Sequence, residues 1–186
     1  MAEQNNESAV KTMVFPVVVL VAICLVCSAI LAGLNAVTAP VIEMNELHAT
    51  MDSYLAVLPE GVSVETMTDH EVSTEGVLGA VSTADGMVAV KAAAPGYSGK
   101  DVTIYVCFDQ SGAISALSVD ASTQSPGIGT KAGEEAFTSK FLGHSGAVSA
   151  GTPVDAIGGA TYSSNAVFTA VNAAVTCYQN ELQGVA

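Results

Sequence analysis

Val102-Thr103-Ile104-Tyr105-Val106-Cys107-Phe108 alternates strictly between two kinds of position. In an extended strand Val102, Ile104, Val106 and Phe108 fall on one face, and Thr103, Tyr105 and Cys107 on the other. Asp109-Gln110-Ser111-Gly112 follows with the residue types of a hairpin turn. Ala113 to Val119 therefore reads as the returning strand, Met87 to Ala93 as the strand before, and Gly76 to Ser82 as a further strand. Beyond them Val167, Val171, Ala174, Tyr178 and Leu182 recur every three or four residues, which predicts a helix from about Thr161 to Leu182. Between lie a loop, Gln124 to Thr130, and a short predicted helix around Lys131 to Phe141. The expected fold class is α+β, a small antiparallel sheet flanked by helices.

The N-terminal third has a different character. Met13 to Leu34 reads MVFPVVVLVAICLVCSAILAGL, and no ionisable residue occurs between Lys11 and Glu43. A helix of that length covers about 33 Å, enough for the hydrocarbon core of a bilayer. Pro16 is expected in its first turn, where a missing N–H costs least. The apolar run is too long for a cleaved signal peptide, and Leu34-Asn35-Ala36 is a poor cleavage site. A retained single-pass anchor is the expectation. Lys11 before the helix, with Glu43, Glu46 and Asp52 after it, places the N-terminus in the cytoplasm. Val41, Ile42, Met44, Leu47, Met51, Leu55 and Leu58 then suggest an amphipathic helix, ended by Pro59-Glu60-Gly61.

Beyond the anchor sixteen carboxylates face four lysines (Lys91, Lys100, Lys131, Lys140), and the chain has no arginine. Such a surface repels phosphate backbones and speaks against nucleic-acid binding. Cys24 and Cys27 have CxxC spacing inside the apolar run but no further ligand nearby, so packing is their simplest role. Cys107 and Cys177 lie where a disulfide is permitted. His48, His70 and His144 lack metal-ligand spacing, and no Ser/His/Asp set suggests hydrolysis.

Chemistry concentrates at Gly158-Gly159-Ala160-Thr161-Tyr162-Ser163-Ser164, two glycines and several hydroxyls where the last helix begins. Unpaired N–H groups and the helix dipole favour an anion such as phosphate there, beside the Thr161 hydroxyl. Ordinary helix capping by Ser and Thr explains the same residues.

Asp155-Ala156-Ile157-Gly158-Gly159-Ala160-Thr161 resembles the flavinylation motif Asp-x-x-Ser/Thr-Gly-Ala-Thr of the FMN-binding-domain family, in which a flavin transferase joins FMN through its phosphate to the last threonine. Gly96-Tyr97-Ser98-Gly99, the hairpin strands, Ser125-Pro126-Gly127-Ile128-Gly129-Thr130-Lys131 and the final helix follow the order and spacing of the G subunits of Rnf complexes, the ion-translocating ferredoxin:NAD oxidoreductases. The C subunits of sodium-pumping NADH:quinone oxidoreductases are similar but usually have a larger exported domain. Two positions depart from the pattern. Gly158 replaces the usual Ser or Thr, and Gln124-Ser125 stands where Glu-Thr is common, with Ser122 near the place of a histidine.

The resemblance implies an organisation and a set of roles. Residues 1–12 would be a cytoplasmic tail, 13–34 the transmembrane helix, 35–86 a membrane-proximal helix and connection, and 87–186 an FMN-binding domain on the outer face of the cell (inner) membrane. Thr161 would be the covalent acceptor, with Ser163 the alternative. Gly159 and Ala160 would leave room for phosphate and transferase. Gly127, Ile128, Gly129 and Thr130 would lie against the flavin, and Asp155 would hold the loop by hydrogen bonds to backbone N–H groups. Tyr97 would either approach the flavin or simply pack. No catalytic residue, substrate site or metal is expected on the chain itself. It would carry electrons as a translocase subunit, with other membrane subunits of the complex as partners. A stand-alone flavinylated electron carrier and a non-redox anchored binding module remain alternatives.

Overall fold

The computed structural model describes the backbone of residues 2–59 and 61–184, and the side chains of these apart from 2–13, 40–49 and 65. The chain divides into two units, Met1–Ala49 and Thr50–Ala186.

The first unit is helical. Helix α1 spans Ala2–Leu55, so the expected polar tail and membrane-proximal helix are continuous with the apolar segment. Pro16 consequently sits inside the helix, not in its first turn, and withholds one backbone bond from it. Val14–Ala39, 26 residues, is long and apolar enough to cross a membrane, five residues further than the sequence pattern suggested. Thr38 donates its hydroxyl to the Leu34 carbonyl at 3.0 Å, so even this polar atom is satisfied within the helix.

The second unit is built on a five-stranded antiparallel meander, β1 (Met67–His70), β2 (Val77–Thr83), β3 (Val88–Pro95), β4 (Asp101–Phe108) and β5 (Ile114–Asp120), in sequence order. The alternation of β4 is realised on both faces. Val102, Ile104, Val106 and Phe108 are fully buried in the main core beside Val88, Val90, Ala92 and Ala94 of β3, each side chain contributing roughly 1.5–3 kcal/mol of burial. Tyr105 and Cys107 face the other way, into a smaller cluster with Val81, Ala89, Tyr54, Val57 and Leu58. The hairpin turn forms at Asp109–Gly112, where the Asp109 carboxylate accepts from the N–H groups of Ser111 and Ala113.

Helix α3 (Thr161–Cys177) lies across β3 and β4. Its apolar stripe closes the main core, and a single π turn, Tyr178–Leu182, continues it. Asn172 on this helix brackets Val148, accepting from its N–H at 2.8 Å and donating to its carbonyl at 2.9 Å. The helix expected over Lys131 to Phe141 is broken into a 3-10 turn (Gly129–Gly133), one α-helical turn, α2 (Glu135–Thr138), and a second 3-10 turn (Ser139–Phe141). A Cβ on Gly133 would lie 2.7 Å from the Val119 carbonyl, so the chain kinks where it presses on β5. Strand β1 and the two-residue parallel pair Ser149–Ala150 and Pro153–Val154, β6 and β7, were not apparent in the sequence. Cys107 and Cys177 are both free and buried, in different clusters.

Candidate functional site

The start of α3 is shaped by the residues ahead of it. Gly159 has φ +80, a conformation that costs other residues about 1 kcal/mol or more. This reversal lets Ala160 N–H reach the Ile157 carbonyl at 3.0 Å and sets Ala160 as the N-cap. Alanine has no side-chain acceptor, and the first turn holds no acidic residue. Among the described residues nothing accepts from the N–H groups of Thr161, Tyr162 or Ser163. The positive end of α3 is thus available to an anion.

The hydroxyls in this turn divide sharply. Thr161 is exposed. Ser163 is 2% exposed and donates to Gln124 Oε1 at 3.0 Å. Ser164 is fully buried, donating to the Ala160 carbonyl and accepting from Ile157 N–H at 3.0 Å. It is this serine that ties the loop to the helix. Asp155, expected in that role, is exposed and makes no hydrogen bond among the described residues.

A cavity of about 350 Å³ opens beside this turn, lined by Gly159, Ala160, Thr161, Tyr162 and Ser163 on one side and Ser125, Ile128, Gly129 and Tyr97 on the other. The two segments singled out in the sequence therefore share one cavity. Gly127 and Thr130 do not line it. Thr130 accepts the Gly127 N–H at 2.9 Å, so these two shape the loop from within, with Gly127 at φ +71. Ser125 anchors the same turn, its carbonyl accepting from Gly129 N–H at 2.9 Å. Tyr97 (53% exposed) and Tyr162 (70%) stand edge to face with ring centroids 6.2 Å apart.

Tyr162 and Gln124 were not assigned roles in the sequence, although Gln124 was noted as standing where the resembling family commonly has Glu. For Tyr162 the signal was present, an aromatic residue directly after the candidate acceptor. Gln124 gave no periodic signal, yet its side chain is 3% exposed and joins both walls of the cavity. Gly158 has open space at its missing Cβ, so a serine or threonine there would add a hydroxyl without displacing anything.

These residues fit a phosphate-bearing aromatic cofactor. Unpaired N–H groups at a helix start suit the phosphate, the exposed Thr161 hydroxyl adjoins them, and two aromatic rings stand on the cavity lining. Residues 96–176 match the family model of the FMN-binding domain, and that span contains every residue lining the cavity. No curated protein matches the chain. The domain match supports a flavin-binding protein of electron transfer, in a chain with one helix suited to crossing a membrane among the described residues.

Proposed function

We propose that this chain is the G-type subunit of an Rnf-like ion-translocating electron-transfer complex, with FMN attached through its phosphate to Thr161. The observation that carries the attachment is the placement of Thr161, an exposed hydroxyl beside three unpaired N–H groups, on a cavity inside the FMN-binding match. The order of the Tyr97 turn, the Ser125–Thr130 loop and the α3 junction, behind an N-terminal apolar helix, supports the complex.

In this reading the backbone N–H groups of the first turn of α3 would hold the phosphate, and Thr161 Oγ1 would bear it as an ester. The transferase would form the Oγ1–P bond as a diphosphate P–O bond of a flavin dinucleotide donor breaks, with the nucleoside monophosphate as leaving group and the hydroxyl proton passing to a base. Tyr97 and Tyr162, which line the cavity, would border the ring, while Gly159 would leave open space for a transferase to approach. Bound FMN supplies a ring able to take up one or two electrons. A cofactor on the outer face would be lost by dilution if it were free, and the ester prevents this. The apolar segment carries no buried charge of the kind that marks an ion path, so translocation falls to partner subunits.

The test is co-expression of the full chain with a flavin transferase, beside Thr161→Val. A denaturing gel is viewed for flavin fluorescence before staining. A fluorescent wild-type band and a dark variant band are expected. Fluorescence in both would move the acceptor elsewhere. Darkness in both, with a control flavoprotein glowing, would favour a non-redox binding module. Purification from native membranes should bring down other integral redox subunits; a chain that purifies alone would be a stand-alone carrier.

A further inference from the structure

Gln124 makes every hydrogen bond its side chain can make. Oε1 accepts from the Tyr97 N–H at 2.9 Å and from the Ser163 hydroxyl at 3.0 Å. Nε2 donates to the Lys100 carbonyl at 2.9 Å and to the Thr123 hydroxyl at 3.0 Å. A backbone donor on one side and a backbone acceptor on the other fix which end of the amide is oxygen. Two glycines are packed hard against it. A Cβ on Gly96 would lie 2.5 Å from Gln124 Oε1, and one on Gly129 would lie 2.8 Å from Gln124 Cβ and 2.7 Å from Ser163 Oγ.

We propose that Gln124 is the positioning residue of the cavity, which keeps its shape only while the side chain at 124 is neutral. The amide ties three segments that meet nowhere else by hydrogen bonds: the turn Gly96–Lys100, the loop that begins at Ser125, and the first turn of α3. Its acceptor side faces two donors. Its donor side faces a carbonyl oxygen, which can only accept. A carboxylate here would set negative charge against the Lys100 carbonyl in a site from which water is nearly excluded. A protonated carboxyl could donate to that carbonyl and restore the pattern. The charged and titratable side chains on the surrounding segments are Tyr97, Lys100, Asp101, Asp120, Lys131 and Tyr162, and all are exposed. None supplies a buried counter-charge. Glutamine therefore does without titration what a carboxyl at this place does only while protonated.

The test compares full-length wild type, Gln124→Glu and Gln124→Ala across pH 4.5 to 8, by thermal melting and by native flavin fluorescence. The buried glutamate has its folded-state pKa raised above the unfolded value of about 4.3. Stability is then fully present below the unfolded pKa, falls as pH rises towards the folded pKa, and is level above it. Q124E should match wild type at the acid end and melt about 10 °C lower at pH 8. Native fluorescence should follow the same single-proton transition, while Q124A should be weakened at every pH by a constant amount. A pH-independent difference between Q124E and wild type would overturn the proposal, as would a Q124A that melts like wild type. The proposal rests on the flavin reading only for its fluorescence readout. Melting of Q124E in the Thr161→Val background separates the two. A pH-dependent loss with a colourless wild type would sink the flavin reading alone, and a coloured wild type with no such loss would sink the role of Gln124 alone.

Discussion

The two faces of the sheet do different work. Under α3 the strands bury a deep core in which Phe108 stacks on Tyr178 with centroids 4.8 Å apart, and Phe137, Phe141 and Phe168 form an aromatic cluster. On the opposite face a thinner patch is closed by Tyr54, Val57 and Leu58, with Tyr54 edge-on to Tyr105 at 5.4 Å. The first face carries the helix whose start forms the cavity. The second is covered by Tyr54, near the end of α1, and by Val57 and Leu58 just after it. The cavity is thus formed on one side of the sheet, and Tyr54, Val57 and Leu58 pack on the other.

Damage to each face should therefore have separate consequences. Phe108→Ala should be the most severe, costing about 3–5 kcal/mol, with melting temperature and flavin attachment lost together; a stable, flavinylated variant would break the comparison. Tyr54→Ala should cost about 2–3 kcal/mol and leave native flavin fluorescence unchanged. A changed cofactor signal would show that the faces communicate. Burial pushes the Tyr54 phenol above its ordinary range, aided by Tyr105 and Asp69 nearby. Its contribution is therefore complete below pH 10 and is lost as pH rises further. Tyr54→Phe should blunt this alkaline loss, measured by melting between pH 9 and 11. The smallest effect belongs to Asp109, in the turn at the edge of both faces. The Ser111 hydroxyl first, then the Ala113 N–H, hold its carboxyl below the usual range. Its support is present above about pH 3.9 and fades as pH falls through the folded value. Asp109→Asn should remove this acid dependence and shift melting at neutral pH by no more than about 2 °C.

Much of this could be read in the sequence because it follows from period alone. Alternation in β4 assigned both faces correctly, down to Tyr105 and Cys107 pointing away from the main core. The stripe on α3 was read from Val167 onward, but the burial of Ser163, four residues earlier on the same face, was not: that serine was expected as an alternative acceptor and is instead withdrawn onto Gln124. Strand β1 was not, because four largely exposed residues, Met-Thr-Asp-His, carry no burial pattern. The broken helix over 131–141 was misread because the limit is set by the approach of Gly133 to the Val119 carbonyl, a contact between segments distant in the fold's logic though near in number. Gln124 is the instructive case. A loop glutamine looks solvated until the glycines at 96 and 129 are seen to be spaces kept for it.

The unequal exposure of the hydroxyls at the start of α3 bears on the order of events in maturation. An extended chain offers a modifying enzyme three aliphatic hydroxyls within four residues, Thr161, Ser163 and Ser164. The folded domain offers one, since both serines are withdrawn into the protein. Within this turn, a transferase acting after folding would meet a single hydroxyl, whereas one acting on the nascent chain would have to read each neighbour apart. If FMN is attached at Thr161 as proposed, fidelity of labelling would in that sense be a by-product of helix packing, and any variant that frays the first turn of α3 should yield a mixture of attachment sites before it yields an unfolded protein.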